Sequence, residues 1–371
     1  MKVVIAIDSF KGSLSSVEAG NAIKAGILKA KEAEVTIKPI ADGGEGTVQA
    51  LVNGMNGVLM SSVVTGPLGE KVNAAWGMLD TGDTKTAIIE MAAAAGIVLV
   101  NKDSLNPLKT TTYGVGELIN AAIEAGCKRF IIGIGGSATN DGGVGMLQAL
   151  GYDFLDKAGN PIIHGAIGLG DLASISDCNV NPKLGDCTFR VACDVKNTLC
   201  GDNGCSKIYG PQKGATPEMI VDMDRWLAEY ARISGGDMNY PGTGAAGGLG
   251  YAFRTFLKAS LEPGIEIVLE ETGLEEAMSD ADIVVTGEGR MDSQTVMGKV
   301  PVGVARLAKK YHKKVIAFCG CATDDAGVCN EYGIDAYFPI LRNPVSLEEA
   351  LDKDNASFNL MCTAEQVFRL I

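Results

Sequence analysis

The sequence predicts an α/β fold with two domains, on three observations. The chain has 371 residues, which is more than one compact core usually holds. Its first segments, and again its segments from Asp282 onward, alternate an apolar run, a loop and a helical pattern, which is typical of a parallel sheet. Between Val58 and Glu90 the pattern changes to short β-like runs separated by GPLG and DTGDT, and these turn signals predict antiparallel or mixed strands.

The predicted domain boundaries lie where these patterns change. We expect residues 1–65 and 283–371 to form one discontinuous parallel-sheet domain, like those of Rossmann or flavodoxin-like folds. Residues 66–282 are then inserted into it as a mixed α/β domain. Two consecutive domains that meet near Asp156 are the alternative.

The individual elements follow from hydrophobic periodicity. An apolar run from Val3 to Ile7 predicts the first strand, and a 3.6-residue pattern from Ser16 to Lys29 predicts a helix capped by Ser15 or Ser16. A second strand is expected from Val35 to Ile40. The later expected elements are a helix at 116–125, a strand at 130–134, a helix in GVGMLQAL, a strand in FRVAC, helices at 217–231 and up to 258, then strand IVVTGEG, helix VPVGVARLAKKY, strand KVIAFCG, a strand near 336–340 and a closing helix.

The composition limits the classes of function that the protein can have. A formal charge of −13 argues against a general basic surface for nucleic acid, so a bound anion needs a few placed cations, backbone N–H groups and a magnesium ion. The 10 cysteines are scattered, and Cys193, Cys200 and Cys205 lack zinc-finger spacing. No apolar run approaches the length of a membrane span, and no signal-peptide pattern stands at the amino terminus. We therefore expect a cytoplasmic protein without nucleic-acid or membrane partners, and a homo-oligomer remains open.

Four glycine-containing segments at predicted strand ends are candidate ligand-binding loops, because ligands of open α/β sheets bind there. In the first, DSFKG, Asp8 and Lys11 offer a carboxylate and a cation, although an ordinary capped loop explains them equally well. The second, ADGGEGT, suits magnesium or hydroxyl recognition, and its carboxylates also fit a helix capping box. Its candidate residues are Asp42, Gly43, Gly44 and Glu45.

The third and fourth segments are candidate anion sites. The run IIGIGGSATNDGG can form an anion cradle of backbone N–H groups, and its candidates are Gly135, Gly136, Ser137, Asn140 and Asp141. The fourth, TGEGRMDSQTVMGK, is not a P-loop but places an arginine and a lysine in what we predict to be one loop, as phosphoryl transfer requires. Its candidates are Gly287, Glu288, Arg290, Asp292 and Lys299.

Two further runs also contain candidate residues. PGTGAAGG fits G-x-G-x-x-G, but no convincing strand precedes it, so a tightly packed or anion-binding helix start is preferred to a dinucleotide site. Asp194 follows the apolar strand FRVAC and is a candidate base or metal ligand, while a plain turn residue is the alternative. A nicotinamide-dependent dehydrogenase and a solute-binding protein are the rival classes; the first lacks a clear acidic partner for its glycine runs and the second would require export.

The sequence resembles the bacterial glycerate kinases in a series of blocks that reach from the first strand to about Cys319. These are DSFKGS, PIADGGEGT, TGPLG, TTYGVGEL, IGGSATNDGGVGMLQALG, YGPQKGA, GAAGGLG and TGEGRMDSQTVMGKVPVGVA. The resemblance implies ATP- and magnesium-dependent phosphorylation of D-glycerate, with the 2-phosphate favoured, in a two-domain α/β fold with the active site between the domains. The stretch 196–208 and the chain after Arg342 match the family more loosely.

The expected chemistry assigns roles to few residues. Lys11, Arg290 and Lys299 are predicted to carry the positive charge that binds the phosphates and the glycerate carboxylate. Asp194 is the predicted base or hydroxyl-orienting residue, because it ends an apolar strand. Asp8 and Asp292 are expected near the metal or the substrate, and no metal ligand is assigned.

Overall fold

The structure is a computed structural model that describes residues 1–41, 46–80 and 82–371. Its strands are β1 (Lys2–Ile5), β2 (Glu34–Ile37), β3 (Val58–Thr65), β4 (Lys71–Asp80), β5 (Lys85–Glu90), β6 (Cys127–Gly133), β7 (Asp153–Leu155), β8 (Ser174–Ser176), β9 (Thr188–Ala192), β10 (Ser260–Glu262), β11 (Ile283–Met291), β12 (Lys314–Ala322) and β13 (Ala336–Pro339).

The α-helices are α1 (Ser16–Ala30), α2 (Thr47–Gly54), α3 (Ala92–Ala95), α4 (Tyr113–Glu124), α5 (Val144–Ala149), α6 (Cys205–Tyr209), α7 (Pro217–Ser234), α8 (Ala245–Phe256), α9 (Gly264–Glu271), α10 (Leu274–Ser279), α11 (Val300–Lys310), α12 (Leu347–Leu351) and α13 (Lys353–Leu370). None of the helices in the described ranges combines the length and the apolar character that crossing a bilayer demands.

The described residues divide into two compact units. The first unit gathers residues 1–41, 49–56 and 263–371, and the second gathers residues 46–48 and 57–262. The mixed α/β class expected from the sequence is confirmed, since both units contain parallel strands.

The first unit is built on a five-stranded parallel sheet with the order β13-β12-β11-β1-β2. Val4 pairs with Val284, which confirms that the strands at the two ends of the chain share one sheet. Val3 and Ile5 belong to the core under α1 and α13. Val4 and Val284, on the opposite face, are also buried, so helices cover both faces of this sheet.

The contact between α1 and α13 is close because it contains a glycine. A Cβ atom at Gly26 would lie 2.2 Å from the carbonyl oxygen of Met361, so only glycine lets the helices approach this far. Helix α1 begins at a capping box: the Ser15 hydroxyl accepts from the Glu18 N–H, and the Glu18 carboxylate accepts from the Ser15 N–H. The sequence therefore predicts this cap correctly.

The second unit contains a six-stranded mixed sheet with the order β10-β9-β6-β5-β4-β3 and a two-stranded sheet of β7 and β8. Strands β3, β4 and β5 form an antiparallel meander, as the turn signals predicted, and β5, β6, β9 and β10 run parallel. Its core is rich in aromatic side chains, such as Phe130 stacked on Phe189 with ring centroids 4.7 Å apart.

Several expected boundaries differ from the observed ones. Residues 58–65 were assigned to the parallel-sheet domain but form β3, which pairs with β4 in the second unit's sheet. Residues 263–282 were assigned to the inserted domain but lie in the first unit, where Ile265 of α9 packs against Gly303 of α11. Strand β11 runs on to Met291, so residues 286–291 of the segment expected to be one loop are strand. The second strand ends at Ile37 rather than Ile40.

Candidate active site

The first unit has a switch in strand order between β1 and β11. From this point the chain continues outward to β2 on one side and to β12 and β13 on the other. Parallel α/β sheets bind ligands outside the carboxyl ends of the strands at such a point. Asp8 follows β1 here, and its N–H donates to the carbonyl of Gly287 in β11 at 3.0 Å.

Close packing explains two glycines of β11. A Cβ atom at Gly287 would lie 1.9 Å from the carbonyl oxygen of Phe318 on the neighbouring strand. One at Gly289 would lie 3.5 Å from the backbone of Phe10 and of Lys11, so the loop after β1 packs directly over this glycine. Gly287, predicted as a binding residue, therefore has a packing role that requires glycine whether or not a ligand contacts it.

Glu288 lies between these glycines and is the most buried carboxylate of this region, at 6% exposure. Its Oε1 accepts a hydrogen bond of 2.6 Å from the Thr295 hydroxyl, and its Oε2 lies 3.3 Å from the Lys299 Nζ. Burial raises the pKa of Glu288, while the Thr295 hydroxyl and the Lys299 charge act in the opposite direction. Glu288 is therefore a fixed carboxylate with a raised pKa.

Asp292 and Arg290 lie at the end of β11. The Arg290 Nε is 3.3 Å from Asp292 Oδ2, and the Lys299 Nζ is 3.8 Å from Asp292 Oδ1. Asp292 also begins the next turn, where its carboxylate accepts from the Gln294 N–H at 2.9 Å. Asp292 thus contacts both cations and also accepts the hydrogen bond that caps the turn. The Arg290 side chain is nevertheless 66% exposed.

A cavity of about 450 Å³ opens at these strand ends, and all of its lining residues belong to the first unit. Its charged side brings together five residues predicted from the sequence: Asp8, Lys11, Glu288, Arg290 and Lys299. Ser13 also lines it, and the Ser13 hydroxyl is buried without a hydrogen-bond partner among the described residues. Three cations and an unpaired hydroxyl in one cavity suit an anionic ligand with oxygen atoms.

Another part of the cavity lining, which we call its apolar side, was not predicted from the sequence. It is formed by Ile340 and Leu341 after β13, by Leu347, Ala350 and Leu351 of α12 and by Ala356 of α13, and the polar Asn359 of α13 lines the cavity as well. The signal in the sequence that could have indicated it is the spacing of Leu347 and Leu351, which are four residues apart and so lie on one face of a short helix. Ser346 and Glu349 form the capping box of this helix.

The predicted anion cradle belongs to the second unit, where its polar side chains are largely occupied by the protein. The Asp141 carboxylate is 1% exposed and accepts from the Thr112 N–H and hydroxyl, both at 2.8 Å, and from the N–H groups of Gly143 and Gly145. Burial raises the pKa of Asp141. These contacts give Asp141 a role in shaping the loop.

Lys213 was not predicted as a site residue, yet it is buried beside this loop. Its Nζ donates to the Ser137 hydroxyl at 2.8 Å and to the Thr139 carbonyl at 2.6 Å. Burial lowers the pKa of Lys213 to about 8, while Cys205 and the Asp141 carboxylate act in the opposite direction. The Asn140 side chain donates to Ser206 at 2.8 Å, while its Oδ1 and the Thr139 hydroxyl have no hydrogen-bond partner in the described part of the chain.

The remaining predicted residues lie apart from the cavity lining. Gly135 and Gly136 are exposed at the start of the cradle. Asp194 is an exposed residue two positions after β9 in the second unit. The four candidates Asp42, Gly43, Gly44 and Glu45 lie outside the described residues.

The glycine run at the start of α8 contains a tight turn. Ala246, Gly247 and Gly248 all have positive φ, and a Cβ atom at Gly247 would lie 2.1 Å from the Thr139 carbonyl oxygen. Close packing therefore explains this G-x-G-x-x-G match, as expected from the missing strand before it. In the described ranges no group of three or more His, Cys, Asp or Glu side chains is arranged to hold a metal ion.

Comparisons with known proteins agree over nearly the whole chain. The model of the glycerate kinase family matches residues 3–371. The glycerate 2-kinase of Escherichia coli K12 is 50% identical over 99% of this chain and 96% of its own length. The glycerate kinase of Bacillus subtilis 168 is 50% identical over 95% of this chain and 93% of its own.

The fold is shared with a solved structure. A crystal structure from Salmonella typhimurium LT2, assigned to a glycerate kinase 2, superposes with a TM-score of 0.90 at 47% identity, covering 100% of this chain and 98% of that one. Together with the matches along the sequence, this shows that the chain belongs to the glycerate kinase family of phosphotransferases, which act on an alcohol group.

Proposed function

We propose that this protein phosphorylates D-glycerate with ATP and releases 2-phosphoglycerate and ADP. The observation that carries the proposal is the cavity of the first unit, where Lys11, Arg290 and Lys299 converge at the carboxyl ends of parallel strands. Phosphoryl transfer depends on such placed cations more than on covalent chemistry. A reaction that consumes ATP suits the cytoplasm, where we expect the protein to work.

The cations have different surroundings, which suggests separate tasks. Lys299 is two-thirds buried and held by Glu288 and Asp292, so it offers a fixed charge. Arg290 is more exposed and contacts Asp292 alone among the ion pairs of the described residues. Arg290 therefore suits a group that closes on the transferred phosphoryl group, and Lys299 suits a phosphate or carboxylate bound before the reaction.

The acceptor hydroxyl needs a partner that takes its proton. Glu288 lines the cavity, is buried, and has its two oxygen atoms held by Thr295 and Lys299. Its raised pKa brings it closer to the range in which a carboxylate accepts a proton efficiently. We therefore favour Glu288 for this role, and Asp194 remains the prediction made from the sequence.

Magnesium fits the charged side of the cavity. Protein sites for magnesium with ATP use one or two carboxylates together with phosphate oxygen atoms. Asp8 is 8% exposed and lines the cavity together with the three cations, so its carboxylate is our candidate ligand for the ion. Bound magnesium would neutralise charge on the phosphates.

The experiment is a coupled assay of ADP release with ATP, magnesium chloride and D-glycerate. We expect glycerate-dependent turnover, which L-glycerate does not support. The absence of glycerate-dependent ADP release from folded protein would contradict the proposal. Phosphorus NMR of the product distinguishes the 2-phosphate, suggested by the relative from Escherichia coli, from the 3-phosphate.

A further inference from the structure

The apolar side of the cavity needs an explanation that glycerate does not provide. Ile340, Leu341, Leu347 and Leu351, which we call the apolar wall, border the same space as the charged side chains. Leu347 is 76% exposed and Leu351 is 38% exposed, so a ligand in the cavity can contact both side chains. Exposed leucines next to a cavity, on a helix with little other apolar character, indicate a binding surface.

The chemistry of the two substrates decides which one the wall suits. Glycerate has three carbon atoms that carry a carboxylate and two hydroxyl groups, and a triphosphate is charged throughout. Neither has a flat apolar part, whereas the purine of a nucleotide does. The cavity of about 450 Å³ also lies within the range of about 300–1,000 Å³ that is typical of sites for drug-sized ligands.

The wall and the charged side are joined directly. A Cβ atom at Gly12 would lie 3.8 Å from Leu351 Cδ2, so α12 packs beside the loop that carries Asp8 and Lys11. Asn359 lines the cavity near the wall, and its amide can both donate and accept a hydrogen bond at the edge of a base. One ligand with a charged end and a planar apolar end can therefore contact both sides.

The position of the wall is fixed by helix caps. Ser346 and Glu349 form the capping box of α12, with the Ser346 N–H donating to the Glu349 carboxylate at 3.0 Å. Asp352 ends α12 and caps α13 by accepting from the Asn355 N–H at 2.9 Å. The Lys353 Nζ lies 3.3 Å from the Glu18 carboxylate of α1, which connects this corner to the rest of the unit.

We propose that the apolar wall binds the purine base of the nucleotide, with Leu347 and Leu351 against its face and the phosphates directed toward Lys11, Arg290 and Lys299. This assignment rests on the proposed ATP-dependent function and adds the position of the base. It makes α12 the element that distinguishes a nucleotide from a bare polyphosphate.

The test compares ADP with inorganic tripolyphosphate, both with magnesium chloride, by isothermal titration calorimetry. The variant Leu347→Ser/Leu351→Ser should weaken ADP binding at least about tenfold and change tripolyphosphate binding less than about twofold. The matched control is Leu28→Ser, a leucine of α1 that is 49% exposed and does not line the cavity. The control should bind both probes like the parent.

The outcomes separate this proposal from the proposed function. Unchanged ADP affinity in the double variant, or an equal loss for tripolyphosphate, overturns the assignment of the wall. If the double variant does not fold, the single variant Leu347→Ser replaces it, because a side chain that is already mostly exposed contributes little to folding. We expect Leu347→Ser to weaken ADP binding about threefold and to leave tripolyphosphate binding unchanged. A parent that binds ADP through the wall but does not phosphorylate glycerate contradicts the proposed function alone.

Discussion

The Thr295 hydroxyl donates a hydrogen bond of 2.6 Å to the Glu288 carboxylate and accepts one of 3.1 Å from the Asp292 N–H. One side chain therefore sets the position of a buried carboxylate and closes the turn that follows β11. The hydrogen bond favours the charged form of Glu288, whereas burial favours the neutral form and raises its pKa. The balance between the two determines the pH at which Glu288 can accept a proton.

We predict that Glu288→Gln lowers kcat by at least about 100-fold, because an amide cannot accept the proton of the acceptor hydroxyl. Affinity for ADP should stay within a few-fold of the parent. The matched comparison is Asp194→Asn, the carboxylate favoured by the sequence alone. If Asp194→Asn loses turnover and Glu288→Gln does not, the roles that we propose are reversed.

The Thr295 hydroxyl should set the acidic limb of the pH profile of kcat. Thr295→Val removes a hydrogen bond that lowers the pKa of Glu288, so the pKa rises and the loss of activity on acidification begins at a higher pH. Thr295→Ser keeps the hydroxyl and should keep the parental profile. An acidic limb that does not move in Thr295→Val would separate Glu288 from the proton transfer.

Arg290→Ala should reduce kcat by about 10³-fold or more, as for arginines that stabilise a transferred phosphoryl group. The control is Arg369→Ala, which removes another partly exposed, ion-paired arginine of the first unit, 2.7 Å from Glu365 and outside the cavity lining. Steady-state kinetics with both substrates measures the effect. Near-parental kcat in both Arg290→Ala and Lys299→Ala would show that the phosphates bind elsewhere.

The buried amine of Lys213 should make stability depend on pH. Its pKa of about 8 in the folded chain lies below the ordinary value of 10.5, so between these values the unfolded chain holds a proton that the folded chain has released. The free energy of unfolding therefore rises with pH across this window, by up to about 3 kcal/mol. Lys213→Met removes this rise.

Urea denaturation at pH 7.5 and 10.5 measures the difference between parent and Lys213→Met. The exposed Lys207, which pairs with Asp202 at the surface, provides the control Lys207→Met. Parent and Lys213→Met with the same pH dependence would mean that the amine keeps its proton throughout this range.

Gly287→Ala should destabilise the first unit by more than about 2 kcal/mol, because the added Cβ would lie 1.9 Å from a backbone oxygen atom of the neighbouring strand. Gly327→Ala is the control, since a Cβ atom there meets nothing within 4 Å. Urea denaturation of both variants measures the effect. Equal stability of the two variants would contradict a packing role for Gly287.

The sequence predicts the charged side of the cavity well and the apolar side not at all. Asp8, Glu288 and Arg290 lie near strand ends in glycine-containing runs, and that local pattern is visible in one dimension. The apolar wall depends on where α12 packs after β13. Two leucines in a charged segment do not indicate in the sequence that they will lie beside the cavity. The wall also lies largely after Arg342, where the resemblance to the family is looser.

Helices and strands were predicted better than boundaries for a similar reason. The periodicity of α1 and α7 is a local property, and both helices are present. The extension of β11 to Met291 depends on its pairing with β12, where Arg290 lies opposite Cys321. The sequence does not predict this pairing, because a glycine-rich run there is typical of a loop. The burial of Lys213 is a tertiary effect, since nothing in YGPQKGA distinguishes it from a solvated lysine.

The pairing of β1 with β11 determines the order in which the chain can fold during synthesis. Val3 pairs with Ile283, so this pairing of β1 can form only after about 280 further residues have been translated. At about 5–20 residues per second, that takes roughly 14–56 s. All strands of the six-stranded sheet have been made by Glu262, before β11 begins. The edge of β1 that pairs with β11 therefore stays without its partner strand while the strands of the second unit are made, and an unpaired strand edge is a site of aggregation until β11 covers it.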